Sequence, residues 1–260
     1  MTLKPKKTSW GEVADWYREH LSDENTYHEK VISPNILRLL ALNSGEKVLD
    51  VACGEGYFSR LFLKNGAKVV GADIARELIE KAKKQSPEIS FFIAPAGKME
   101  FAVASSFDKA VCVLALQNIE HLDEALKEVA RVLKSGGKFV FVLNHPCFRI
   151  PKRSEWGYDG QKKIQFRRLD GYLKEARIKI DMHPGETAAG KKSAVTYSFH
   201  RPLQVYMKAL SKNGFVVTQM EEWVSHRKSE KGPKSEAEDE ARKEFPLFLA
   251  VSAQKLRQSL

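Results

Sequence analysis

Between residues 47 and 143 the chain alternates short apolar runs with amphipathic stretches, and this rhythm constrains its fold more than any other feature. Lys47–Val51, Ala67–Ala72, Ile89–Ala94, Lys109–Leu116 and Lys138–Leu143 read as strands. Gly56–Asn65, Arg76–Gln85 and Asp123–Leu133 read as helices, stopped by Gly66, by Pro87 and by Ser135-Gly136-Gly137. A helix over Pro34–Leu42 precedes them, with Pro34 suited to its first turn. A helix at Leu203–Lys212 and strands at Phe215–Met220 and Leu247–Ala253 follow. The strands are continuous apolar runs, the pattern of a parallel sheet covered on both faces. The expectation is an α/β fold: a doubly wound, mostly parallel seven-stranded sheet, with its ligand beyond the carboxyl ends of the strands.

The remaining segments organise around this sheet. Residues 1–33 are polar and aromatic and are expected to form a helical segment covering the ligand site. Residues 34–148 and 202–260 form the main domain, and 149–201, basic and rich in turns, are expected to be a cap inserted after the fifth strand. The charged stretch 226–244 reads as a mobile loop.

With 260 residues, 43% of them hydrophobic, the chain can bury a core without staples. Cys53, Cys112 and Cys147 are too scattered for a zinc site, so no metal is expected and a reducing compartment is. The N-terminal lysines have no apolar run behind them, and no apolar stretch approaches the roughly 20 residues that span a bilayer. A cytoplasmic protein without membrane association is expected. The net charge of +10 favours anionic partners, nucleic acid or phosphorylated or carboxylated metabolites, without choosing among them.

The central motif is VLDVACGEGYF, Val48 to Phe58, leaving a strand and opening a helix. Gly54 and Gly56 permit a tight turn and close approach of a ligand to the backbone. Asp73, at the end of the second strand, is placed to take both hydroxyls of a ribose. A dinucleotide fold would want glycine or alanine where Ser59 stands. Asp50, at the end of the first strand, repels a pyrophosphate and attracts an ammonium or sulfonium. No phosphate-binding GxxxxGK[ST] loop is present.

These residues resemble motif I of the class I S-adenosylmethionine-dependent methyltransferases, usually VLDxGCGxG, in a type 11/25-like methyltransferase domain. The resemblance continues through Asp73, the fourth strand, the helix DEALKEVARVLKSGG and the strand FVFVLN, covering residues 34–145 well and 203–253 loosely. It implies an S-adenosyl-L-methionine cofactor, released as S-adenosyl-L-homocysteine. By the same resemblance Asp50, Ala52, Gly54 and Gly56 contact its methionine part and Asp73 its ribose. Ile74 flanks the adenine, Ala96 offers its backbone to the adenine edge, and Leu116 and Gln117 lie beneath the methionyl and sulfonium groups. Similar enzymes fold an N-terminal aromatic over the cofactor, a role open to Trp16 and Tyr27, which are equally suited to core packing. Ala52 stands where the family usually has glycine. Pro95 stands where relatives often have an aspartate that takes the adenine amino group.

Methyl transfer is an in-line displacement, so positioning dominates and a base is needed only for a protonated nucleophile. His145, after the fifth strand, is the first candidate base, with a loop-capping role as its alternative; His200, in YSFHRP, is the second. His121 precedes a helix start and reads as structural. Asn118, Asn144, Trp156 and Tyr197 are candidate acceptor contacts. The absence of NPP[YF] after the fourth strand weakens methylation of a base amino group, and Cys147 lacks a second cysteine suitably placed for methylation of a base carbon. The cap interleaves basic residues with aromatics and would serve as a lid over a small-molecule acceptor, with anionic metabolites among the candidates, or as a platform for RNA. A transferase acting on an oxygen or nitrogen of a small molecule is the leading expectation. An RNA methyltransferase and a cofactor-binding protein without turnover are the alternatives.

Overall fold

The computed structural model describes residues 25–181 and 195–257. Trp16 lies outside them. The described chain enters through α1 (Ser33–Leu40) and then runs β1 (Lys47–Val51), α2 (Tyr57–Lys64), β2 (Lys68–Asp73), α3 (Arg76–Gln85), β3 (Ser90–Ile93), β4 (Phe107–Val113), α4 (Leu122–Val132) and β5 (Leu133–Asn144). Two hairpins follow, β6 (Ser154–Asp159) with β7 (Ile164–Leu169) and β8 (Ala176–Asp181) with β9 (Val195–His200). The chain closes with α5 (Leu203–Lys212), β10 (Phe215–Trp223), α6 (Ser235–Glu244) and β11 (Phe248–Lys255).

Seven strands form one sheet in the order β10-β11-β5-β4-β1-β2-β3. β1 to β5 are parallel, and β11 runs antiparallel between β5 and β10. The expected doubly wound, Rossmann-like sheet is the one observed. Successive strand residues point to opposite faces, so each apolar strand serves two cores. Leu49, Ala110, Phe139 and Phe141 pack with Leu126 and Val129 of α4 and Leu210 of α5. Val48, Val111, Val140 and Val142 pack with Ile36 and Leu40 of α1, Phe62 of α2 and Ile79 of α3.

Two details depart from the sequence reading. The stretch 226–244 is not all loop: Ser235–Glu244 is helix α6. Its first turn is acidic (Glu236, Glu238) and its last basic (Arg242, Lys243), the distribution that suits a helix dipole. Ala241 is buried and Ala237 lines the groove facing β7. An apolar face made of alanines barely registers as hydrophobic. The segment expected to form a cap holds these two antiparallel strand pairs, with Arg167 of β7 lying 4.8 Å over the Trp156 ring of β6 and Arg177 of β8 lying 4.0 Å over Tyr197 of β9.

Candidate active site

The carboxyl ends of β1, β2, β4 and β5 meet at one edge of the sheet. After β1 the backbone turns left-handed at Ala52 (φ 56°) and again at Gly54 and Gly56 (φ 57° and 78°). A side chain at Gly54 would meet nothing within 4 Å, so the loop has an open face there. Gly56 is different: a Cβ would stand 2.8 Å from the Phe91 ring of β3, and the residue caps α2.

Two carboxylates converge on this loop. Asp50 is buried and accepts a 2.6 Å hydrogen bond from Ser59 Oγ. Burial, reinforced by the nearby Asp73 charge and opposed by the Ser59 bond, pushes its pKa up to about 7. Asp73 accepts the Gly54 N–H on Oδ2 (2.9 Å) and the Ala75 N–H on Oδ1 (2.8 Å). Burial raises its pKa against these two bonds. Ile74 beside it is 52% exposed, leaving an open apolar shelf. Ala96 is half-buried against the core, while the Leu116 side chain is fully buried in it.

At the end of β4, Leu114 is left-handed (φ 53°) and its carbonyl accepts Gln117 Nε2 (2.7 Å) and Asn118 Nδ2 (3.3 Å). That bond fixes the orientation of the Gln117 amide, whose buried Oε1 has no partner among the described residues. Gln117 lines a cavity of about 30 Å³ with Asn144, Arg149, His200, Arg201 and Tyr206.

The two candidate bases differ sharply. His145 Nδ1 accepts the N–H groups of Cys147 (3.2 Å) and Phe148 (3.4 Å), so Nε2 carries the proton and donates it to Glu222 (2.7 Å). Burial lowers its pKa. With both nitrogens engaged, the ring has no lone pair to offer, which is the loop-capping geometry rather than that of a base. His200 donates Nε2–H to the Tyr172 carbonyl (2.7 Å), which leaves the Nδ1 lone pair. Tyr27 bonds Ser225 (3.0 Å) and packs edge-on against His226 and Phe248. Trp156 packs on Phe245, and neither it nor Tyr197 lines the cavity.

A family model for a methyltransferase domain matches residues 49–141. The structure resembles an S-adenosylmethionine-dependent methyltransferase from Mesorhizobium loti at a TM-score of 0.66 and 27% identity, covering 85% of this chain and 96% of that one. Over residues 49–141 the chain carries a methyltransferase domain, on the fold of the S-adenosylmethionine-dependent methyltransferases. The methyltransferase is also 36% identical over 105 residues to the demethylmenaquinone methyltransferase of Renibacterium salmoninarum, over 40% of this chain and 44% of that protein. It thus spans under half the length of that relative. An uncharacterised Haemophilus influenzae protein is 28% identical over 215 residues, covering 79% of this chain and 81% of the other.

The residues present fit S-adenosylmethionine, the cofactor of this family. Each Asp73 oxygen uses one lone pair on the backbone and keeps another for a ribose hydroxyl. The open face at Gly54 admits a ligand against the backbone, and Asp50, at the start of the same loop with a pKa of about 7, gains its negative charge most readily beside a cation. Arg149, Arg201, Tyr206 and Glu222 were not singled out from the sequence. Arg201 follows the candidate His200 directly, and an arginine at the mouth of a helix was the one signal that could have marked it.

Proposed function

We propose that the methyltransferase moves a methyl group to an oxygen or nitrogen of a small-molecule acceptor that enters between the end of β4 and β9. One observation carries this reading: the polar cavity lined by Gln117, Asn144, His200 and Tyr206 lies past the carboxyl ends of β4 and β5, on the same edge of the parallel sheet as the ends of β1 and β2 that carry Asp50 and Asp73. When bound, S-adenosylmethionine supplies a methyl carbon activated by its sulfonium. Asp73 holds the ribose, Ile74 and Ala96 flank the adenine, and Asp50 faces the cationic methionine end through the open loop. Gln117 Oε1 accepts a hydrogen bond from the incoming O–H or N–H and so orients its lone pair for in-line attack. His200 Nδ1 takes the proton where the nucleophile arrives protonated. His145 holds the loop after β5 in place and takes no part in proton transfer. The hairpins β6–β7 and β8–β9 form the cap beside the acceptor.

Two further observations support a small acceptor over RNA. Arg167 and Arg177 lie over the Trp156 and Tyr197 rings, which occupies one stacking face of each aromatic that a single strand would use. The Renibacterium relative is named for a small-molecule acceptor. Incubation with methyl-labelled cofactor and a cell extract separated into metabolite and RNA fractions tests the proposal. Label in the metabolite fraction is expected. Label confined to RNA would contradict it, and cofactor binding without transfer to any fraction would favour a binding protein.

A further inference from the structure

The small cavity at the end of β4 has an unusual charge balance. Arg201 is buried and donates to three backbone carbonyls, those of Leu116 (3.5 Å), Ile119 (2.8 Å) and Glu120 (2.6 Å). Backbone carbonyls orient a guanidinium but leave its full charge uncompensated. Arg149 reaches the same cavity from the loop after β5, with its Nη1 held at 3.0 Å by Asn144 Oδ1. Its side chain is exposed, with the guanidinium 5.8 Å over the Phe248 ring. Among the described residues neither arginine has a carboxylate within ion-pair distance, and the nearby Glu222 is engaged by His145. Tyr206 adds no negative charge, because burial pushes its pKa up to about 12. Two cations thus face one pocket, and a buried charge without a partner costs free energy until something anionic arrives.

The other wall supplies a different requirement. Gln117 Oε1 is a buried acceptor without a donor. Leaving such an atom unpaired costs about 1–3 kcal/mol, which a ligand hydroxyl or amine would recover. The cavity of about 30 Å³ has room for two or three water-sized groups, at about 10–15 Å³ for each. That takes a planar carboxylate group rather than a bulkier phosphate, with the rest of the acid lying outside the cavity.

We propose that this cavity is an acceptor subsite for a hydroxy- or amino-carboxylic acid, with the carboxylate between Arg149 and Arg201 and the O–H or N–H on Gln117 Oε1. The inference rests on the proposed methyl transfer to a small molecule, and it names the class of that molecule. Arg149 supplies selectivity, since it is exposed and bonded to one side chain. Arg201 both charges the pocket and fixes the 116–120 turn that carries Gln117.

Binding of benzoate, 3-hydroxybenzoate and uncharged benzyl alcohol to the full chain, with and without S-adenosylhomocysteine, tests it by ligand-observed NMR. Benzoate should bind at least about tenfold more tightly than benzyl alcohol, as expected for hydrogen bonds to a charged group, and 3-hydroxybenzoate more tightly still. Arg149→Gln should cut the preference for the anion at least about threefold, Arg201 supplying the rest, and Arg149→Lys should restore part of the loss. Gln117→Leu should remove only the gain from the hydroxyl. No benzoate binding at about 10 mM, or a preference left unchanged by Arg149→Gln, would overturn the proposal. Calorimetry with S-adenosylhomocysteine reports on the cofactor separately: its failure to bind while benzoate still binds would sink the transferase reading and leave the carboxylate site standing.

Discussion

Asp50 sits buried at the end of β1 with Ser59 as its hydrogen-bond donor, and its pKa stands at about 7. A shift of that size from the ordinary carboxylate value corresponds to roughly 4 kcal/mol in favour of the protonated form. Because the folded pKa is raised, this contribution to stability is present in full below the ordinary value and is lost as pH rises through about 7. Asp50→Asn should therefore stabilise the free protein more at pH 8 than at pH 5, by about 1–3 kcal/mol, since pH 5 already lies above the ordinary carboxylate value. Thermal melts at the two pH values check this, and equal shifts at both would contradict it. A cation seated over the loop favours the charged carboxylate, so cofactor binding should release a proton near pH 6.5 and weaken as pH falls. Calorimetry in buffers of different ionisation enthalpy reads that proton. Asp50 was legible as an acid facing the loop because its place in the motif is local. Its protonation was not, since that depends on Asp73 and on burial by distant strands.

The elements show where local patterns suffice and where they fail. β1 and α3 have the bounds expected from periodicity, because continuous apolar runs and a proline stop are signals carried within the segment. α6 was hidden by its alanine face, and the hairpin partners of the cap are set by pairings across long loops. Phe91 of β3 illustrates a link that only the structure reveals. It is buried against Gly71 of β2, where a Cβ would stand 2.5 Å from its ring and 2.9 Å from Cys53 Sγ, and against Gly56 of the loop. The absent side chains of two glycines thus make room for the ring that braces the cofactor loop. Gly71→Ala should destabilise by about 1–3 kcal/mol through overpacking. Phe91→Ala should cost less in that background than alone, and denaturant titrations of the double-mutant cycle measure the coupling. The loop after β5 has a similar device in His145, which satisfies two backbone N–H groups and Glu222. His145→Ala should lower stability by about 1–3 kcal/mol. Its kcat for the labelled transfer at 15 °C should stay within about threefold of the parent, a change worth under 1 kcal/mol. A much larger fall in kcat without loss of stability would return His145 to the role of base.

At the scale of the whole molecule, the sheet gathers segments far apart in sequence onto one edge. The loop proposed to hold the cofactor could be picked out in advance because Asp50, Gly54, Gly56 and Asp73 lie within one βαβ unit. The proposed acceptor side was legible only in part: Gln117, Asn144 and His200 were singled out, but Arg149, Arg201 and Tyr206 come from segments that meet them only when β5 and β9 are in place. No described helix is long and apolar enough to cross a membrane. The central claim, that the β1–β2 edge holds S-adenosylmethionine through Asp73, is tested most directly by calorimetry of S-adenosylhomocysteine with the parent protein and Asp73→Ala. The carboxylate's bonds to two ribose hydroxyls predict a loss of at least about tenfold in affinity, with an unchanged circular-dichroism spectrum. Equal affinity in the two proteins would contradict the account.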